Sequence, residues 1–120
     1  MNPFSWLSYL DVADNLMSFG SEGHFRSAVS RAYSGILNET RSRIERRGVY
    51  FKRPNSQLEV IEWLRNQPHD DFVHIGIELD RLRRERNSAD YNNQQTFTQS
   101  RAEKSITQAR RVEKDILVYL

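Results

Sequence analysis

Residues 70–89 read DDFVHIGIELDRLRRERNSA, and the periodicity of this stretch decides the fold. At about 100° per residue, Phe72, Ile75, Gly76, Leu79 and Leu82 share one sector, the core stripe of a helix from Asp70 to about Ala89. Asp70 and Asp71 suit the positive N-terminal end of that helix. The sector then continues with Arg83, Arg86 and Asp90. A helix that only needed a core would continue with leucine or alanine. Burying an unpaired charge is costly, so these side chains should face a partner, a cleft or a subunit interface. The competing reading is an internal ion pair, Arg86 or Arg83 with Asp90, closing the helix end.

Four more helices flank this one. Phe25, Ala28, Val29, Ala32, Tyr33, Ile36 and Leu37 form a regular i, i+3, i+4 stripe, which fades through Arg41 to Arg47 and stops at Gly48. A first helix should start near Pro3, within Asn2 to Leu10, and end before Gly20. It draws its buried face from Phe4, Leu7, Leu10, Ala13, Leu16 and Met17. Val49 to Pro54 has no partner strand and reads as an extended connection. Asn55 or Ser56 can cap a third helix holding Leu58, Ile61 and Leu64, with Pro68 marking its end. Asn92 to Thr96 is a polar loop. The last helix begins at Thr98 or Ser100: Ser100 with Glu103 has capping-box spacing, and Phe97 with Ala102 has the spacing of a hydrophobic staple around Thr98. Its buried face should hold Ala102, Ile106, Ala109, Val112, Ile116 and Leu120. The expectation is an all-α, up-and-down bundle of four to five helices, forming a single domain over residues 1–120.

Composition agrees with one folded domain. The 120 residues are 38% hydrophobic and 28% charged, and two tryptophans, five tyrosines and six phenylalanines argue against disorder. No apolar run approaches the roughly 20 residues a membrane span needs, and no signal peptide is recognisable. The absence of cysteine removes disulfide and thiolate-metal chemistry and suits a reducing, cytoplasmic location. A net charge of +2 is too small to announce a nucleic-acid binder, but arginine is clustered, at Arg81 to Arg86 and at Arg41, Arg43, Arg46 and Arg47. Guanidinium forks suit phosphate, whereas the ordinary reading of such runs is a solvated helix face.

Other chemistries have little support. His69 or His74 with Asp70 has metal-ligand spacing but no third ligand, so neither a metal nor any other cofactor is expected. No serine sits in a strand-turn-helix elbow, and no glycine-rich phosphate loop is present. Trp6 and Trp63 lie on apolar helix faces and read as core or interface.

Arg86-Asn87-Ser88-Ala89-Asp90-Tyr91, preceded by Leu79-Asp80-Arg81-Leu82-Arg83, resembles the signature of HEPN domains in the branch that reads R-x-x-A-D-Y. Phe25 to Tyr33 is similar to the family's A-x-x-R-A-Y-Y stretch, with Arg31 at its arginine and Ser34 where a second tyrosine is usual. The resemblance runs from about Glu22 to Val118. It implies a helical bundle that pairs into a homodimer, with the polar motifs facing each other across a shared cleft. Many HEPN proteins are metal-independent endoribonucleases of toxin–antitoxin or defence systems. Others bind RNA or nucleotides, or partner a small nucleotidyltransferase that acts as antitoxin. On this resemblance Arg86, Asn87, Asp90 and Tyr91 are the candidate catalytic residues, and Arg83, Arg84 and Arg31 the candidate RNA- or nucleotide-binding residues.

The family's nuclease motif pairs the arginine with a histidine, and here Tyr91 stands in its place. A tyrosine of unperturbed pKa about 10 is ionised in roughly one molecule per thousand at neutral pH, so it is a poor base. It can donate a proton or hydrogen-bond a phosphate. Asp90 is the other candidate base, although a neighbouring arginine weakens a carboxylate for that task. Three readings stay open: a ribonuclease, a non-catalytic module that binds RNA or a nucleotide, and an interaction subunit whose charged motif builds a dimer interface. Beside a nucleotidyltransferase, Tyr91 would become a candidate acceptor of nucleotide transfer.

Overall fold

The structure, a computed structural model, describes residues 3–53 and 56–120. Among these residues the chain forms five α-helices and no strand: α1 (Ser8–Met17), α2 (Glu22–Glu45), α3 (Gln57–Arg65), α4 (Asp70–Tyr91) and α5 (Gln99–Tyr119). The three long helices α2, α4 and α5 pack against one another in a helical bundle, α1 lies on α2 and α5, and α3 lies on α4 with a lighter contact to α2. The reason is in the stripes: every apolar residue expected on the buried face of α2, and all those of α5 except Leu120, which is half-buried, lie in the core.

The core has two parts. The larger one joins Leu10 and Ala13 of α1 to Ile36 of α2, Leu64 of α3, Leu79 of α4 and Val112 of α5. A smaller cluster of Phe25, Val29, Ala89, Phe97 and Ala102 seals the end where α4 turns into α5. Phe97 and Ala102 share this cluster as a staple should, and the Thr98 hydroxyl accepts the Arg101 N–H at 3.1 Å as the cap of α5. Ser100 therefore lies inside the helix and caps nothing.

Several boundaries differ from the expectations. α1 begins at Ser8, not near Pro3, after a tight turn of i to i−3 bonds from Ser8, Tyr9 and Leu10. Phe4 stays 60% exposed and packs edge-on against Trp6 and Tyr9. α2 does not fade at Arg41: Thr40 and Ile44 are buried and carry the stripe to Glu45. Leu58 sits in the first turn of α3, 55% exposed, and Val60 takes the buried position. Ser56 precedes α3, but its hydroxyl donates back to the Arg53 carbonyl at 2.6 Å instead of capping forward. Asn2, Pro54 and Asn55 lie outside the described residues. Gly48, with φ +94°, has the left-handed conformation expected after α2.

Candidate functional site

The charged end of α4 divides its side chains among three surroundings. Arg83 donates from Nε to Asp80 at 3.0 Å, and Arg84, largely exposed, pairs with the same carboxylate at 2.7 Å. Glu85 turns to α5 and accepts a two-pronged interaction from Arg101 at 2.8 and 2.9 Å, which raises the Arg101 pKa chiefly through that hydrogen bonding. Arg86 alone turns inward, between α2 and α3. Its Nη2 donates to Gln57 Oε1 at 2.9 Å, and its guanidinium lies 5.1 Å from the centre of the Tyr33 ring.

Gln57 ties this arrangement together. Its amide oxygen also accepts the Tyr33 hydroxyl at 2.8 Å, so one oxygen holds a phenol from α2 and a guanidinium from α4. Burial pushes the Tyr33 phenol up to about 12, against a smaller opposing pull from Arg86 and Arg83. Tyr33 is therefore a protonated donor at neutral pH. The Arg86 Nε is buried without a hydrogen-bond partner among the described residues. A buried donor left unpaired costs about 1–3 kcal/mol, so a movement of Arg86 that brought this atom to an acceptor would recover that cost.

Arg86 forms one wall of a cavity of about 170 Å³ whose other polar walls are Tyr33, Ser34, Asn38, Arg41, Ser56 and Gln57. No carboxylate is among the described residues that line it. Two guanidinium-bearing residues with hydroxyl and amide groups make a setting for an anion. The volume falls below the roughly 300 Å³ at which drug-sized ligand sites begin, so the cavity suits one group of a ligand and not a whole molecule.

Comparison of the chain with family models, curated proteins and solved structures returned no match.

The remaining expected site residues are not gathered here. Asp90 comes within 4.0 Å of Arg86 and accepts the Ser30 hydroxyl at 3.1 Å, so the ion pair open to Arg86 is marginal. Arg83 does not pair with Asp90. Asn87 makes no side-chain hydrogen bond among the described residues. Tyr91 lies five residues beyond Arg86, about 140° around the helix, and is 77% exposed. It lines a separate open groove with Asp90, Arg26 and Asn92. Arg31 projects toward α1, with its guanidinium 5.0 Å from the centre of the Tyr9 ring. The second arginine cluster is mostly engaged in structure: Arg43 and Arg46 pair with Glu39, and Arg47 lies over the Phe72 ring. Arg41 is the member that reaches the cavity, while also bonding Glu45 and the Arg53 carbonyl. Among the described residues no group of three His, Asp or Glu side chains could hold a metal, and no helix is long and apolar enough to cross a membrane.

Proposed function

We propose that the chain is a HEPN-like, up-and-down helical domain that binds RNA or a nucleotide through the Arg86 cavity, pairing as a homodimer so that two such cavities share one cleft. On this reading it serves a toxin–antitoxin or defence system. The observation that carries the proposal is the buried Nε of Arg86, unpaired among the described residues, beside a cavity with no carboxylate among its described lining residues. A phosphate oxygen could accept from Nε once Arg86 turns toward the cavity, and Arg41, which also pairs with Glu45, lies in the same wall.

Binding is favoured over cleavage. Tyr91 and Arg86 lie on different faces of α4, so one subunit offers no arginine–tyrosine pair around a single phosphate. Metal-independent cleavage would need Tyr91 or Asp90 supplied from a second copy. The test is fluorescence anisotropy with single-stranded RNA over a salt series, run beside a cleavage assay in EDTA. The expected result is salt-sensitive binding that Arg86→Ala weakens at least about tenfold while the fold is retained, a loss that suits one charge-assisted contact. Undiminished binding by folded Arg86→Ala would remove the proposal.

A second reading rests on the exposure of Tyr91, whose hydroxyl makes no hydrogen bond among the described residues. Beside a nucleotidyltransferase its oxygen would bond the α-phosphorus of a nucleoside triphosphate as pyrophosphate leaves, the phenolic proton passing to a base of that enzyme or to water. Intact-mass analysis after co-expression with such an enzyme should show the addition, and Tyr91→Phe should lose it. An addition that survives Tyr91→Phe rules this site out.

A further inference from the structure

A second cavity, of about 290 Å³, adjoins the first and shares Ser56 and Gln57 with it as a common wall. Its chemistry differs. Arg53 and Arg83 line it, but so do the Glu59 carboxylate and Leu58, which is more than half exposed. Arg83 is already held by Asp80 through both Nε and Nη2. With the Glu59 carboxylate in the wall itself, this cavity is a poor place for a second phosphate. It has the composition that holds a nucleobase: an aliphatic surface, guanidinium donors and a carboxylate acceptor.

We propose that the two cavities form one nucleotide site in which the Arg86 cavity takes the phosphate and the Arg53–Glu59 cavity takes a guanine base. The inference rests on the reading of the first cavity given above.

The choice of base follows from donor and acceptor patterns. Guanine presents two adjacent N–H donors, N1–H and the 2-amino group, which match the two oxygens of a carboxylate. Its O6 and N7 are acceptors, which match a guanidinium. Adenine, cytosine and uracil each set an acceptor beside the donor on the pairing edge, and that acceptor would face the carboxylate repulsively. Glu59 Oε2 accepts the Lys52 N–H at 3.3 Å, which fixes the carboxylate and leaves lone pairs on both oxygens for a ligand. Arg53 forms no ion pair among the described residues, so its fork is available to O6 and N7. Leu58, exposed against the sequence expectation, then gains a purpose as the surface on which the base lies.

The experiment is calorimetric titration of the full chain with GMP, AMP, CMP, UMP and inorganic phosphate at one ionic strength. GMP should bind at least about tenfold tighter than AMP, as one good bidentate pair implies. Glu59→Ala should reduce that preference to under about twofold, since it removes the pair that adenine cannot make, and Arg53→Ala should weaken GMP binding at least about tenfold, while inorganic phosphate binds to both variants as before. Circular dichroism melts establish that both variants fold. Equal binding of all four nucleotides, or a preference that survives Glu59→Ala, overturns the inference. If inorganic phosphate binds and the bases do not differ, only the second cavity is misread; if neither phosphate nor any nucleotide binds, the first cavity is misread as well. Six-nucleotide strands with and without a single guanine separate the sources. Tighter binding of the guanine strand than of GMP assigns the site to RNA, equal binding assigns it to a free nucleotide, and both support the guanine site.

Discussion

Arg26 and Arg86 leave the same share of side chain to solvent, 18%, yet they should respond very unequally to loss of charge. Arg26 Nη1 donates to the carbonyls of Ser88, Ala89 and Asn92, and its Nη2 donates to Gln95. Methionine keeps most of the stem and removes every donor. At about 1.5–3 kcal/mol per bond from a charged group, with water recovering the more exposed carbonyls, Arg26→Met should cost about 3 kcal/mol. Arg86→Met loses one bond to Gln57, about 1.5–3 kcal/mol on the same scale, and the contact with the Tyr33 ring, about 0.5–1 kcal/mol. The Gln57 oxygen keeps the Tyr33 hydroxyl, and the cost of the unpaired Nε, about 1–3 kcal/mol, disappears. Arg86→Met should therefore stay within about 1 kcal/mol of the parent in stability, because the two sides nearly cancel. Urea denaturation at neutral pH reads the difference, a separation of about 1 M in midpoint between the two variants if their slopes agree. If Arg86→Met costs as much as Arg26→Met, Arg86 is a structural keystone and the argument from its unpaired donor fails.

Tyr33→Phe should change how stability depends on pH. The folded phenol ionises near 12 and the unfolded one near its ordinary value, so the unfolded chain binds fewer protons between them. The hydroxyl's contribution is thus complete below about pH 10 and falls by about 2–3 kcal/mol as pH rises toward 12, measured as the parent minus Tyr33→Phe in paired denaturation curves. Gly35→Ala should destabilise by about 1–3 kcal/mol, because a Cβ there would lie 2.8 Å from the Trp6 carbonyl oxygen and 2.9 Å from Tyr9 Cβ. Gly23→Ala, in the same helix with nothing within 4 Å, should stabilise by about 0.4–1 kcal/mol, and thermal melts of the two variants should move in opposite directions. Thr98→Ala should cost about 1 kcal/mol through loss of the α5 cap, while Ser100→Ala should be close to neutral in the same melts.

The helices were legible because their signals are local. The α2 stripe, the left-handed Gly48 and the Phe97 staple all lie within a few residues of the structure they make. Leu58 misled because a short helix resting mainly on α4 buries a narrow face, and Val60 with Ile61 and Leu64 fills it. For the site, periodicity turned Arg86 inward as expected, but the partners came from elsewhere. Gln57 lies 29 residues away, at the start of another helix, with no pattern that marks it. Arg41 stood within a visible arginine cluster, yet nothing local separated it from Arg43 and Arg46, which pair with Glu39. Rotation about α4 could have set Tyr91 apart from Arg86 at the outset, since five residues is a poor spacing for sharing a helix face.

The first turn of α2 governs the α4–α5 loop from a distance. Glu22 accepts the Phe97 N–H at 3.1 Å, and Arg26, which Glu22 also holds, donates to the carbonyls from Ser88 to Gln95, contacts that span 62 to 75 residues of chain. Within the loop itself the bonds are few and short-range, such as the Gln94 N–H to Asn92 Oδ1. Closing so long a segment loses entropy before these bonds can repay it. The loop should thus order late in folding, only once α2 has docked, and Phe97 should exchange its amide hydrogen on the timescale of global opening although it lies outside any helix. The loop that follows Asp90 and Tyr91 is in this sense a readout of the whole bundle, rigid while the bundle is closed and released with it.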